Sequence, residues 1–193
     1  MDKVKAFEPE INLIKNKLIK EFVINAIQTI PNHFFEAAAS STGKYHPAYT
    51  LGKGGLLRHT KAAVRIAVEL SRLEWWHFSN DEVDLALGAL ILHDGWKYGE
   101  EYSKYSLAEH PTFATFALKN NGDLQQKRII TEEQFQTIVD CIETHTGQWV
   151  EHPRTHEIIL EKPKTPLQKF VHLADYIASR KCLTMEFDVP LSR

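Results

Sequence analysis

The chain has 193 residues, of which 43% are hydrophobic and 25% charged, so its composition is that of a globular protein rather than a disordered one. The formal net charge of −2 argues against a bulk electrostatic grip on duplex nucleic acid. Two cysteines cannot build a disulfide framework, the first residues are charged, and no apolar run approaches the ~20 residues of a membrane span. We therefore expect one domain, in the cytoplasm, with no membrane partner.

Apolar residues recur at helical spacing along most of the chain, and strand-like alternation is nearly absent. The spacing predicts a helix over residues 11–30 and a short helix over 32–40. The turn-rich segment 40–55, which includes four glycines, predicts a long loop. Residues 56–70 predict a further helix, and its apolar face includes His59.

Capping signals predict where the later helices begin. Two apolar runs are preceded by the spacing of a capping box, Ser79 with Glu82 and Thr131 with Gln134. Pro111 and Pro166 suit the first positions of two further helices. The helix after Thr131 is expected to extend to His145, and only residues 156–160 suggest an extended piece. The predicted class is all-α.

Several of these helices carry a histidine or an aspartate on or beside the apolar face. These residues are His59, His93, Asp94, His110, His145 and Asp175. Ligands from separate helices that converge at the centre of a bundle are typical of helical metal sites. Burying an unpaired carboxylate is costly, and a metal ion satisfies both the carboxylates and the imidazoles. The pattern therefore favours a metal site.

Four of these residues follow the order H…HD…D, which resembles the pattern of the HD-domain metal-dependent phosphohydrolases: His59, His93, Asp94 and Asp175. The resemblance covers roughly residues 54–183. It includes the local sequences GGLLRHT, LALGALILHDGWKYG, EHP, IETHTG and HLADYIAS.

His110 and His145 resemble the ligands of family members that hold two metals. Those members include HD-type diadenosine tetraphosphate hydrolases, cyclic-dinucleotide phosphodiesterases and certain 3′–5′ exoribonucleases, and GGLLRHT looks most like the last group. One departure is HDGWK, where HD-x-G-K is usual. Lys97 keeps its place, but the glycine stands one position earlier.

The resemblance implies an HD-domain helical bundle with two divalent transition metal ions. It implies that one ion is held by His59, His93, Asp94 and Asp175, and that Asp94 bridges to a second ion held by His110 and His145. A water or hydroxide activated by the ions would attack phosphorus, and Lys97 would donate to a phosphoryl oxygen or the leaving group. Imidazole mixed with carboxylate suits manganese, iron or cobalt better than magnesium.

Six further residues are candidates for contact with substrate, each with an ordinary structural role as the alternative. They are Lys44, His46 and Lys53 in the loop, Trp149 as a surface for a base, and Ser179 and Arg180 after the last ligand. We expect a single HD domain over 1–193, with N-terminal helices and a substrate-side loop (1–53), a metal-binding core (54–183) and a tail (184–193).

The expected activity is hydrolysis of a phosphoester or phosphoanhydride in a nucleotide or short oligonucleotide. Two alternatives stay open: a nucleotidase or deoxynucleoside triphosphohydrolase with one metal, and a module that senses nucleotide without cleaving it. Association into a homo-oligomer also stays open.

Overall fold

The computed structural model describes residues 2–41, 43 and 46–193. In that part of the chain there are nine α-helices, two short 3-10 helices and, instead of a sheet, one isolated bridge between Glu151 and Ile158. The α-helices are α1 (Lys3–Ala6), α2 (Glu8–Ile11), α3 (Lys17–Thr29), α4 (Gly55–Ser71), α5 (Asn80–Leu92), α6 (His110–Asn120), α7 (Gly122–Gln126), α8 (Glu132–Glu143) and α9 (Pro166–Ala178). The predicted all-α class is confirmed. Within the described residues, no helix combines the length and apolar character needed to cross a bilayer.

Helix α5 forms the centre of the bundle. It is buried without a break from Val83 to Leu92 and packs against α3, α4, α8 and α9. Apart from Asp84, this stretch is apolar on every side, and such a helix belongs in an interior because none of its apolar faces prefers water. His93 and Asp94 directly follow α5, so the same burial carries both side chains into the core.

The predicted starts of the later helices, α5, α6, α8 and α9, are confirmed. Both boxes form with reciprocal hydrogen bonds, and a third box at the start of α9 joins Thr165 to Gln168. Helix α6 begins at His110 with Pro111 in its first turn, as predicted. These caps satisfy amides that the helix itself leaves unpaired.

The predicted single helix over residues 11–30 is wrong, because α2 ends at Ile11 and α3 begins at Lys17. The side-chain oxygen of Asn16 accepts hydrogen bonds from the amides of Leu18 and Ile19 in the first turn of α3, and so starts a new helix. Leu18, an apolar residue in the first turn of α3, is 51% exposed, so it does not belong to the buried face.

Two other predicted helices are shorter than expected. The segment 32–40 contains only a 3-10 helix over Asn32–Phe35. Helix α8 ends at Glu143, so His145 lies in the turn beyond it and not on the helix. Gly147, with φ of +67°, continues that turn.

The C-terminal residues 184–193 pack onto the bundle. Arg65, from α4, donates hydrogen bonds to the tail carbonyls of Glu186 at 3.1 Å and Phe187 at 2.8 Å. Arg193 pairs with Asp84, a fully buried carboxylate of α5. That carboxylate also accepts hydrogen bonds from the backbone amides of residues 15 and 16. It therefore joins the segment before α3 and the C-terminal residue to the central helix.

Candidate metal centre

The six predicted ligands meet in one place, although they come from five parts of the chain. Helix α4 supplies the first histidine, and the end of α5 supplies the His-Asp pair. The first residue of α6 is the third histidine, the turn after α8 holds the fourth, and the last turn of α9 supplies the second aspartate. In that order they are His59, His93, Asp94, His110, His145 and Asp175. All but Asp175 are buried, and that carboxylate is 18% exposed.

One half of the cluster is built around Asp175. Its Oδ1 lies 2.8 Å from His59 Nε2 and 3.4 Å from His93 Nε2. The ligand atoms of these three residues all lie within 4.8 Å of one another. Asp94 completes this half through Oδ2, which is 3.6 Å from His59 Nε2 and 3.5 Å from His93 Nε2.

The other half uses the second oxygen of the same carboxylate. Asp94 Oδ1 lies 3.1 Å from His110 Nε2 and 3.7 Å from His145 Nε2. The two imidazole nitrogens are 3.1 Å apart. Asp94 therefore faces both halves, with one oxygen directed at each.

Backbone carbonyls fix the orientation of three of these histidine rings. Nδ1 of His93, His110 and His145 lies 2.6, 2.7 and 2.7 Å from the carbonyl three residues earlier. A carbonyl oxygen only accepts, so each Nδ1 must carry the hydrogen. In the neutral rings this leaves Nε2 as a lone pair pointing into the cluster, as in histidines that bind metal.

Two buried polar atoms of the cluster have no hydrogen-bond partner in the described part of the chain, and a bound cation would satisfy both. His93 Nε2 and Asp94 Oδ1 are buried and have no hydrogen-bond partner among the described residues. When neutral, His110 and His145 direct lone pairs at each other and at the Asp94 carboxylate, which is repulsive without a positive charge between them. The residues therefore fit divalent metal ions of the kind that take nitrogen and oxygen ligands.

Two histidines of the cluster differ sharply in their affinity for protons. Burial alone would lower the pKa of His93, but Asp94 and Asp175 raise it to about 10. Burial, followed by repulsion from His93 and His110, lowers the pKa of His145 to about 3. In the protein without metal, the proton on His93 thus supplies part of the missing positive charge.

Lys97 supplies a permanent positive charge beside the cluster. Its Nζ donates to Asp94 Oδ2 at 2.7 Å. Burial would lower the pKa of this ammonium, but Asp94 and Asp175 raise it. Burial would raise the pKa of Asp94, yet Lys97 and His93 hold it well below the usual range. The relocated glycine of the HDGWK sequence therefore leaves Lys97 beside the carboxylate.

A cavity of about 460 Å³ opens onto the cluster. Four of the predicted substrate-side residues line it: His46, Trp149, Ser179 and Arg180. Two others are not brought in. Lys53 is 77% exposed and pairs with Glu36 at 3.4 Å, and Lys44 lies outside the described residues. Larger cavities, up to about 720 Å³, lie elsewhere, but only in this one do the described histidines and aspartates converge.

The structure adds two lining residues that the sequence reasoning missed. Thr146 has a buried hydroxyl with no hydrogen-bond partner among the described residues. Tyr176 stacks on Trp149, with ring centroids 5.8 Å apart. Each directly follows a proposed ligand in the chain, and that adjacency was the signal available in the sequence.

The comparisons with known proteins agree with this geometry. The family model described as HD domain matches residues 56–180, which is well over half of the chain and includes all six clustered residues. No curated protein and no solved structure shows a significant similarity to the chain. Since the match covers the helices that build the cluster, the chain belongs to the HD domain family of metal-dependent phosphohydrolases.

Proposed function

We propose that this protein hydrolyses a phosphoester or phosphoanhydride of a nucleotide or short oligonucleotide, using two divalent transition metal ions. The observation that carries the proposal is the position of Asp94, whose two oxygens face the two halves of the histidine cluster. A carboxylate that faces two sets of histidines would suit two neighbouring ions, because each of its oxygens would be a ligand for one of them.

The proposed first site is His59, His93, Asp94 and Asp175, and the proposed second is Asp94, His110 and His145. The donor set favours manganese, iron or cobalt. When bound, such ions supply positive charge that stabilises phosphoryl oxygens and lowers the pKa of a coordinated water.

The side chains around the ions then have separate tasks. Lys97 holds Asp94 in place and is a fixed positive charge at the cavity wall. Thr146 offers a buried, unpaired hydroxyl, and Arg180 offers a guanidinium that forms no ion pair with the described residues. We propose that Thr146 and Arg180 donate hydrogen bonds to the phosphoryl oxygens of the substrate, because preorganised donors in a recessed site stabilise developing negative charge.

The test is a hydrolysis screen of metal-stripped protein supplied separately with manganese, cobalt or iron(II). The substrates are mononucleotides, dinucleoside polyphosphates, cyclic dinucleotides and short single strands. We expect metal-dependent release of product from at least one class, and none after Asp94→Asn. If the metal-loaded, folded protein leaves all four classes intact, the proposal is wrong and a sensing role takes its place.

A further inference from the structure

Two aromatic rings at the cavity rim form a flat surface. Trp149 and Tyr176 are stacked, with centroids 5.8 Å apart and planes inclined by 16°. Both residues line the cavity, yet Trp149 remains 53% exposed. Leaving much of an indole in water forgoes the favourable burial of a large apolar surface. The rings are already in contact, so a further planar group would stack on the outer face of Trp149.

This surface is held in a fixed position relative to the metal cluster. The ring of His172 lies next to both aromatic rings. Its centroid is 6.2 Å from that of Trp149 and 6.0 Å from that of Tyr176. The same imidazole donates from Nδ1 to the carbonyl of His145 at 2.7 Å. Tyr176 is also the residue after Asp175, so both rings are linked to proposed ligands.

A cation lies on the same patch. The guanidinium carbon of Arg180 is 4.1 Å from the centroid of Tyr176. Its hydrogen bonds to protein go to Ser179 Oγ and the Tyr176 carbonyl. Arg180 has no carboxylate partner in the described part of the chain, so donors remain for an anion. A planar apolar surface beside an unpaired guanidinium is complementary to a ligand that is both flat and anionic.

On the basis of the proposed function, we infer that Trp149 and Tyr176 form a nucleobase subsite, with Arg180 binding a phosphate of the same nucleotide. Stacking on an indole accepts any base, because every base has a π face. The subsite therefore selects nucleotides over other phosphoesters without selecting among bases.

The test compares the binding of AMP with that of ribose 5-phosphate, which has the sugar and phosphate but no base. Calorimetry on the metal-loaded protein measures both. We expect the wild type to bind AMP more tightly, and Trp149→Ala to weaken AMP binding by roughly 5- to 150-fold, the range for one stacked base. Trp149→Phe should restore much of the loss, and ribose 5-phosphate should bind equally to all variants.

Trp75 provides the matched control, because it is a 72% exposed tryptophan that lines a different cavity. Trp75→Ala should leave AMP affinity unchanged. In a second readout, AMP should quench tryptophan fluorescence in wild type and in Trp75→Phe but not in Trp149→Phe. Parallel titrations with a short oligoadenylate decide whether a free nucleotide or the end of a strand is preferred.

The outcomes separate this inference from the proposed function. Equal affinity of the wild type for AMP and ribose 5-phosphate, or unchanged AMP binding in Trp149→Ala, overturns the subsite even if a nucleotide is hydrolysed. Trp149-dependent AMP binding without turnover of any phosphate keeps the subsite and overturns the catalysis.

Discussion

The imidazole of His172 supports the backbone of His145 by a hydrogen bond from Nδ1 to the carbonyl oxygen, at 2.7 Å. The ring fills the space beside Gly147, where an added Cβ would lie 2.1 Å from Cε1 of the imidazole. A proposed metal ligand beyond the end of α8 is therefore positioned by a side chain of α9.

Gly147→Ala should destabilise the protein and disturb the centre together. The backbone there has φ of +67°, which costs a residue with Cβ about 1–2 kcal/mol, and the methyl would also displace His172. Gly122→Ala is the control, because no atom lies within 4 Å of its added Cβ and its φ is not positive. Denaturant unfolding and metal content measure both effects. A Gly147→Ala protein as stable as Gly122→Ala would contradict the placement of His172.

Metal stoichiometry should separate the two proposed sites. His110→Ala and His145→Ala are each expected to retain about one ion per chain while turnover collapses, since both serve only the second site. His59→Ala should reduce occupancy of the first site and also lower stability, because this ring is buried. Elemental analysis with kinetics at saturating metal measures this. Wild-type rates in both second-site variants would leave the one-metal mechanism in its place.

Asp94→Ala should remove more metal than any other single substitution. Its two oxygens face both halves, so each site loses a ligand at once. The exposed Asp123 provides a control, and Asp123→Ala should keep metal and activity. Retained metal and near-normal turnover in Asp94→Ala would remove the bridging role.

Thermal stability should depend on pH differently with and without metal. The pKa of His93 is raised to about 10, so its protonation stabilises the folded state below the unfolded value of about 6.5. That contribution is lost as the pH rises from about 6.5 to 10. Metal-stripped protein should therefore melt at lower temperature at pH 9 than at pH 6.5. Metal-loaded protein should show a smaller fall, because the ion replaces the proton. Identical pH profiles would show that His93 does not exchange a proton for metal.

The two cysteines should react at very different rates. Cys141 is 1% exposed, and burial with the nearby Asp140 raises the pKa of its thiol to about 12, whereas Cys182 is exposed. Iodoacetamide under native conditions should modify Cys182 alone, because alkylation needs an accessible thiolate. Peptide mapping by mass spectrometry identifies the modified residue. Equal labelling of both would mean that α8 opens readily.

The sequence predicted the helices wherever local signals and burial agree. The boxes at Ser79 and Thr131 are local, and both form. The prediction of one helix over residues 11–30 was wrong because the apolar spacing continues across Asn16, whose side chain caps the start of α3. The amide of Asn16 donates to the carboxylate of Asp84, which is 68 residues away in the chain. A local sequence pattern cannot predict a contact at that distance.

The same division applies to the site. The ligand types and their order were readable because each lies on or beside an apolar helix face. The contacts that support these ligands could not be predicted from the sequence, since they join positions far apart in the chain. His172 meets His145 across 27 residues, and Trp149 meets Tyr176 only because α9 packs beside the turn after α8. Lys53 shows the converse, because a basic residue near the first ligand helix pairs with Glu36 instead.

The carboxylate of Asp84 also bears on the order of folding. It meets Arg193 across 109 residues, and the same guanidinium reaches the Leu13 carbonyl across 180. Closing loops of this length costs entropy, as it also does where α4 meets α9, since His59 and Asp175 are 116 residues apart. The apolar residues that α4, α5 and α9 bury together offset that cost. The polar contacts of Asp84 and Arg193 bury no comparable surface and should therefore form after these helices have collapsed. Weakening the contacts of Arg193 with Asp84 and the Leu13 carbonyl should then speed unfolding and leave the rate of folding nearly unchanged. The proposed metal ligands take no part in the contacts of Asp84 and Arg193. They would be assembled while the two ends of the chain are still free.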